Sequence, residues 1–159
     1  MLGAFSGEYT HSLDGKGRAI IPVNYREKLG QGFAIALNLT RTALELLPAE
    51  KWAAQCAYYA ALPDTDETAM EYMRMRMASV QQESEMDAQG RVLLPVNLRR
   101  AIGLEKDLTF LGMYDRIEIW DAATYEEKMK KTAAQAEAAR LAKYVNDNYR
   151  PTATASKRD

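Results

Sequence analysis

Residues 14–30 of this chain return at residues 87–103. The first copy reads Asp-Gly-Lys-Gly-Arg-Ala-Ile-Ile-Pro-Val-Asn-Tyr-Arg-Glu-Lys-Leu-Gly and the second Asp-Ala-Gln-Gly-Arg-Val-Leu-Leu-Pro-Val-Asn-Leu-Arg-Arg-Ala-Ile-Gly, at a constant offset of 73 with no gap. Eight of the 17 positions are identical, namely Asp14, Gly17, Arg18, Pro22, Val23, Asn24, Arg26 and Gly30 with their counterparts. Average residue usage would give roughly one by chance. The same offset carries Leu44, Glu45, Leu46 and Leu47 onto Ile117, Glu118, Ile119 and Trp120, and Trp52 onto Tyr125. The duplicated unit therefore covers about 45 residues. A unit of that size buries too little surface to be stable alone. With 159 residues, 47% of them hydrophobic, the chain is expected to pack both copies into one core.

The net charge of -1 argues against a uniformly basic surface, so the distribution of charge carries more information than its sum. The repeated motif is the basic part: Lys16, Arg18, Arg26 and Lys28 stand against Asp14 and Glu27. Residues 41–71 are acidic, with Glu45, Glu50, Asp64, Asp66, Glu67 and Glu71 against Arg41 and Lys51. The single cysteine, Cys56, excludes an intrachain disulfide and reads as a buried thiol on an apolar helix, in keeping with a reducing compartment. No basic flank leads into an apolar N-terminal run, and no stretch approaches the roughly 18 apolar residues of a membrane span. A cytoplasmic location is expected.

Residues 8–13 and 18–21 read as strands around the glycine-rich turn 14–17, a hairpin or tight strand-loop-strand element. Gly17 and Gly90 are assigned to positive φ, and Asp14 and Asp87 turn their carboxylates onto loop amides. After Pro22 and Pro95 a short helix follows, with Asn24 and Glu27 spaced as a capping box and Gly30 and Gly103 at its end. Residues 32–39 with 43–47, and 108–113 with 116–120, give a further strand pair per copy, so each unit is β-β-α-β-β. Pro48 opens a helix to Leu62, Asp64 or Thr65 opens another, and Asp121 caps a longer one reaching toward Asn146. Met70, Met73, Met77 and Val80 recur at helical spacing and read as packing surface. The polar tail 151–159 is expected to be disordered.

Chemistry is sparse. His11 is the single histidine, without a serine or cysteine partner at a recognisable spacing, and its structural reading prevails. Cys56 and Ser12 lack a paired base, and no His/Cys cluster has metal-ligand spacing, so neither a catalytic residue nor a metal or cofactor is assigned. Asp14, Glu45, Asp87 and Glu118 offer a carboxylate site as one reading, but pairing with Arg18, Arg91 or strand-edge amides is the plainer account. Neither phosphate-loop nor dinucleotide fingerprint occurs. The turn presents Lys16 and Arg18 in copy one, but Gln89 and Arg91 in copy two. Arginine offers a planar fork to phosphate or guanine, lysine a point charge, and glycine amides approach phosphates closely. Against that stands a plain ion pair of Arg18 with Asp14. Arg26 and Arg99 read evenly as a solvated helix face or as phosphate and subunit contacts. Trp52, Tyr58, Tyr59 and Tyr125 read as packing or interface residues.

The run Phe5-Ser6-Gly7-Glu8-Tyr9-Thr10-His11-Ser12-Leu13, the Asp-Gly-Lys-Gly-Arg turn, Ile-Pro, Tyr-Arg and a degenerate second copy resemble the MraZ family of bacterial transcriptional regulators over nearly the whole chain. The resemblance implies an α+β fold: two tandem SpoVT/AbrB-type swapped-hairpin units forming a pseudo-symmetric barrel with flanking helices. The modules would span 8–54 and 81–127, joined by a helical connector 55–80 and followed by a C-terminal helix 128–150. It also implies ring-shaped homo-oligomers that bind G-rich direct repeats in promoter DNA upstream of the division and cell wall genes, as a nucleoid-associated regulator and probable repressor. DNA contact would fall to Lys16, Arg18, Gly15, Gly17 and Arg26. Asp14, Asp87, Arg91 and Arg99 would be secondary or structural, since Gln89 departs from the lysine of the first turn. A ring suits the charge balance, because one basic loop binds weakly and linked loops gain by avidity. The alternative is an oligomeric adaptor of the same fold that binds protein partners, with a hydrolase third.

Overall fold

The computed structural model describes residues 4–149. The first copy contributes β1 (Glu8–Ser12), β2 (Arg18–Ile20), α1 (Val23–Leu29), β3 (Phe33–Leu37) and β4 (Leu44–Leu47). A connector follows, with α2 (Ala49–Ala60) and α3 (Glu67–Ala78). The second copy repeats the order as β5 (Gln81–Ser84), β6 (Arg91–Leu93), α4 (Val96–Ala101), β7 (Asp107–Gly112) and β8 (Ile117–Asp121), ahead of α5 (Ala122–Ala133) and α6 (Gln135–Tyr149). The β-β-α-β-β reading of each unit stands. One compact unit runs through Ala122 and holds both copies; a second begins at Ala123. No helix among the described residues is long and apolar enough to cross a membrane.

Strand pairing runs between the copies. A six-stranded antiparallel sheet has the order β1-β7-β8-β4-β3-β5, and a separate ribbon pairs β2 with β6. Each copy thus sends its first strand to the other copy's half of the sheet: Tyr9 lies opposite Phe110 in β1-β7, and Phe33 opposite Ser84 in β3-β5. Of the two readings of residues 8–21 the tight strand-loop-strand element stands and the hairpin does not, since residues 14–17 reverse the chain while β1 and β2 take partners from the second copy. The expected barrel is corrected too, because the sheet does not close and β1 and β5 remain its edges.

Both faces of the sheet are covered, which explains why β3 and β4 are buried at every position, β3 as a continuous apolar run and β4 with Glu45 among its leucines. Alternate side chains divide between two cores. Phe33, Ile35 and Leu37 join Ala19, Ile21, Tyr25, Leu29, Val92, Leu94, Leu98, Ile117 and Ile119 in one core drawn from both copies. Ala34 and Ala36 face Leu47, Trp52 and Tyr59, with Met73, Met77 and Val80 packed against them. The methionine stripe is packing surface at those positions. Cys56 lies half-buried beside the same cluster, more accessible than the sequence implied.

Helix boundaries differ in detail. No side chain caps α1; Pro22, with φ -51 and ψ 137, occupies the cap position and the helix starts two residues earlier than a capping box at Asn24 requires. The Asn24 amide instead donates to the Tyr9 hydroxyl at 3.0 Å. In α3 the cap is Asp66, not Asp64 or Thr65, its carboxylate accepting the Ala69 N–H at 3.1 Å. The single helix expected after Asp121 is interrupted between α5 and α6, where the Ala134 carbonyl accepts the Ala138 N–H and opens the new helix. Residues 151–159 lie outside the described residues.

Candidate nucleic-acid interface

Each turn is held by one aspartate. The Asp14 N–H donates to Arg18 O at 3.0 Å and the Gly17 N–H to Asp14 O at 3.1 Å, closing the reversal. Asp14 Oδ1 accepts the N–H groups of Lys16 and Arg18, both at 2.9 Å, and Oδ2 accepts Arg18 Nε at 2.7 Å. In the second turn Asp87 does the same for Gln89 at 3.0 Å, Arg91 N–H at 2.8 Å and Arg91 Nε at 2.6 Å. Gly17 and Gly90 have φ of 78° and 79°, a region where a side chain is strained. The Arg18 N–H is the largest influence on the Asp14 carboxyl; with the Arg18 guanidinium and the Lys16 amide it outweighs the opposing effect of burial and lowers the pKa to about 2. Asp87 is lowered for the corresponding reasons, led by the Arg91 N–H. Loop brace and ion pair, alternatives at the level of sequence, are both present.

The two turns are clasped to one another by the helix arginine of the opposite copy. Leu94 N–H donates to Gly17 O at 3.1 Å, Leu94 O accepts Arg99 Nε at 3.0 Å, and the Arg99 guanidinium lies back across Gly17. A methyl group at Gly17 would sit 2.6 Å from Arg99 Nη2 and 2.8 Å from Cζ. The mirror clasp runs from Ile21 N–H to Gly90 O at 2.8 Å and from Arg26 Nε to Ile21 O at 2.8 Å, and Arg26 lies against Gly90. Glycine is thus favoured at each turn by its backbone angle, and a side chain there would also displace the arginine over it. Arg26, read from the sequence as a contact on the first copy's helix, stands at the second turn; Arg99 stands at the first. No sequence spacing reports this exchange, since it follows from β2 pairing with β6.

Four arginines consequently share one arrangement. Arg18, Arg26, Arg91 and Arg99 each spend Nε on Asp14, Ile21 O, Asp87 or Leu94 O. Among the described residues, no acceptor is recorded for their Nη groups. Such guanidinium forks are oriented in advance and remain free to grip an anion in bidentate fashion. Register places Arg18 opposite Leu93, Ala19 opposite Val92 and Ile20 opposite Arg91. Ala19 and Val92 point into the core, so Arg18, Ile20, Leu93 and Arg91 share the outer face of the ribbon. Lys16 is exposed on the first turn, and its place on the second is taken by Gln89. Gly15 leaves open space around the first turn, with nothing within 4 Å of where a methyl would lie.

The four acidic residues do not converge. Asp14 and Asp87 belong to the turns, whereas Glu45 and Glu118 face each other across β4-β8 at the sheet centre. Glu45 is buried between Arg76, whose Nη1 donates to it at 3.1 Å, and Arg116, whose Nε lies 2.9 Å away as an ion pair without hydrogen-bond alignment. Arg76 also donates to Leu37 O, Tyr59 and Gln55, tying α3 to α2 and the sheet. Burial works against its charge, but the Tyr59 hydroxyl and Glu45 outweigh that and raise its pKa. This buried ion cluster was not foreseen; Arg76, three residues from Met73 and one from Met77, was its only sequence signal. Glu118 instead accepts Trp120 Nε1 at 3.1 Å. His11 rests edge-on against Phe110 at 5.7 Å, away from any nucleophile described above. Trp52 and Tyr59 are buried as expected of packing residues, while Tyr58 is exposed. Among the described residues, no group of three His, Cys, Asp or Glu is placed to hold a metal ion.

The family model described as "MraZ protein, putative antitoxin-like" matches residues 4–74 and 77–145. A protein of Acetivibrio thermocellus named Transcriptional regulator MraZ is 42% identical over 122 residues, 77% of this chain and 84% of that protein. The proteins of that name from Moorella thermoacetica and Lactiplantibacillus plantarum are 40% identical over 134 residues and 41% over 130. They cover 84% and 82% of this chain, and 92% and 91% of their own lengths.

Proposed function

Because this chain belongs to the MraZ family, we propose that it is a DNA-binding transcriptional regulator whose reading surface is the pair of clasped turns on the β2-β6 ribbon. The observation that carries this reading is the set of four arginines with Nε anchored and Nη groups unspent, around two turns whose reversal is fixed by Asp14 and Asp87. Its relatives are named regulators, and no enzymatic activity is assigned.

Lys16 and Arg18, with Gly15 and Gly17 allowing close approach, form the principal contact; Arg26 acts from the second turn, and Asp14 aims Arg18. The Asp14-held fork suits guanine O6 and N7 or a phosphate, and Lys16 adds charge to the backbone contact. The finer reading is of a homo-oligomeric ring, its swapped-hairpin units presenting successive loops to G-rich direct repeats before the division and cell wall genes, where it represses. Net charge -1 per chain supports multivalency over a single strong site, since linked loops gain affinity without new contacts.

Fluorescence anisotropy with duplexes carrying or lacking spaced G-rich repeats tests this. Native protein should bind the repeat duplex preferentially, and Arg18→Ala should weaken it by about 1–3 kcal/mol per loop. Equal binding by Arg18→Ala, or no repeat preference, would return Arg18 to a structural role and favour a ring that binds protein partners.

A further inference from the structure

The clasp between the copies has a consequence for how DNA is gripped. We propose that Arg99, supplied by the second copy, is a phosphate-binding member of the first copy's loop, so that the basic site is a composite of Lys16, Arg18 and Arg99. This rests on the DNA-binding reading above and assigns a residue and a chemistry to it.

Three observations converge. Arg99 lies flat on Gly17, the residue between Lys16 and Arg18, with Nη2, Cζ and Nη1 all within 3.2 Å of the position a methyl would take there. Its Nε is already fixed on Leu94 O at 3.0 Å, which sets the plane of the guanidinium. Among the described residues no acceptor is recorded for its Nη1 and Nη2, while Lys16 and Arg18 flank the glycine it covers and Asp14 spends its carboxylate on Arg18 and two N–H groups. A surplus of positive charge with oriented, unspent donors is what a phosphodiester oxygen satisfies, bidentately and at little entropic cost. Lys28, on the same segment of the first copy, is by contrast spent on Ala4 O at 3.0 Å. The third cation follows from the pairing of β2 with β6: a single copy would present Lys16 and Arg18 without it.

Anisotropy titrations of the full chain, on the repeat duplex and on a scrambled duplex across a salt series, decide it. Arg99→Ala should weaken binding on both duplexes by about tenfold and make the slope of log K against log salt shallower by about 1 per loop engaged. Arg99→Lys, which keeps the charge, should recover most of the slope and part of the affinity. Arg99→Gln, which keeps an N–H for Leu94 O without charge, should behave as the alanine variant; it carries the test if Arg99→Ala does not fold by circular dichroism. Weaker binding at unchanged slope would overturn the proposal and leave Arg99 as a support for Gly17. An equal slope loss in Arg100→Ala, whose side chain is not at the loop, would overturn it as a general charge effect. Salt-independent or absent binding by the native chain would instead overturn the DNA reading itself.

Discussion

Asp14 and Asp87 hold their turns through the same three bonds, while Glu45 and Glu118, equally duplicated and directly opposite each other, are held by different partners. At the turns the copies have kept one backbone and changed the outward charge, Lys16 against Gln89. At the sheet centre they have kept the buried carboxylate and changed what neutralises it: Glu45 lies between Arg76 and Arg116, and Glu118 accepts from Trp120. The connector accounts for the second difference, because α3 brings Arg76 to one side of the pseudo-two-fold relation. Duplication therefore preserves what geometry demands and lets charge diverge where a neighbour compensates.

The largest test of that contrast is at the glutamates. Glu45→Gln leaves the buried Arg76 without its anion, while Arg116 keeps Asp115, and should cost about 3–5 kcal/mol in urea denaturation. Glu118→Gln retains an acceptor for Trp120 Nε1 and should cost no more than about 1 kcal/mol. Equal losses would break the distinction. At the turns the contrast concerns binding: Gln89→Lys makes the second turn chemically like the first and should steepen the salt slope by about 0.9 for each added phosphate contact. An unchanged slope would show that the second turn does not meet DNA.

The smallest effect is on pH. Both loop carboxyls are lowered from 3.8, so each contributes stability that is present above that value and is lost as pH falls through its folded value. For Asp14 the window runs from 3.8 down to about 2. Amide NMR titration should show the Arg18 N–H keeping its bonded shift to near pH 2, and the Arg91 N–H keeping its own below 3.8. A midpoint near 3.8 at one turn would show that the two braces differ.

Much of the architecture was legible in the residues. An offset of 73 without a gap announces two copies, the glycines and aspartates announce the turns, and residues 32–39 and 43–47 announce a strand pair. These are local consequences of backbone sterics and of side-chain period. The partner of each strand was not legible, because β1 and β5 carry similar patterns and either copy offers a compatible edge. Only the packed chain decided that β1 joins β7 and β2 joins β6, that Arg26 and Arg99 cross to the opposite turns, and that Arg76 finds Glu45. The sequence by itself determined which residues bend, pair and carry charge; the tertiary structure decided which copy each serves, since long-range register is chosen by burying one common core rather than by any local signal.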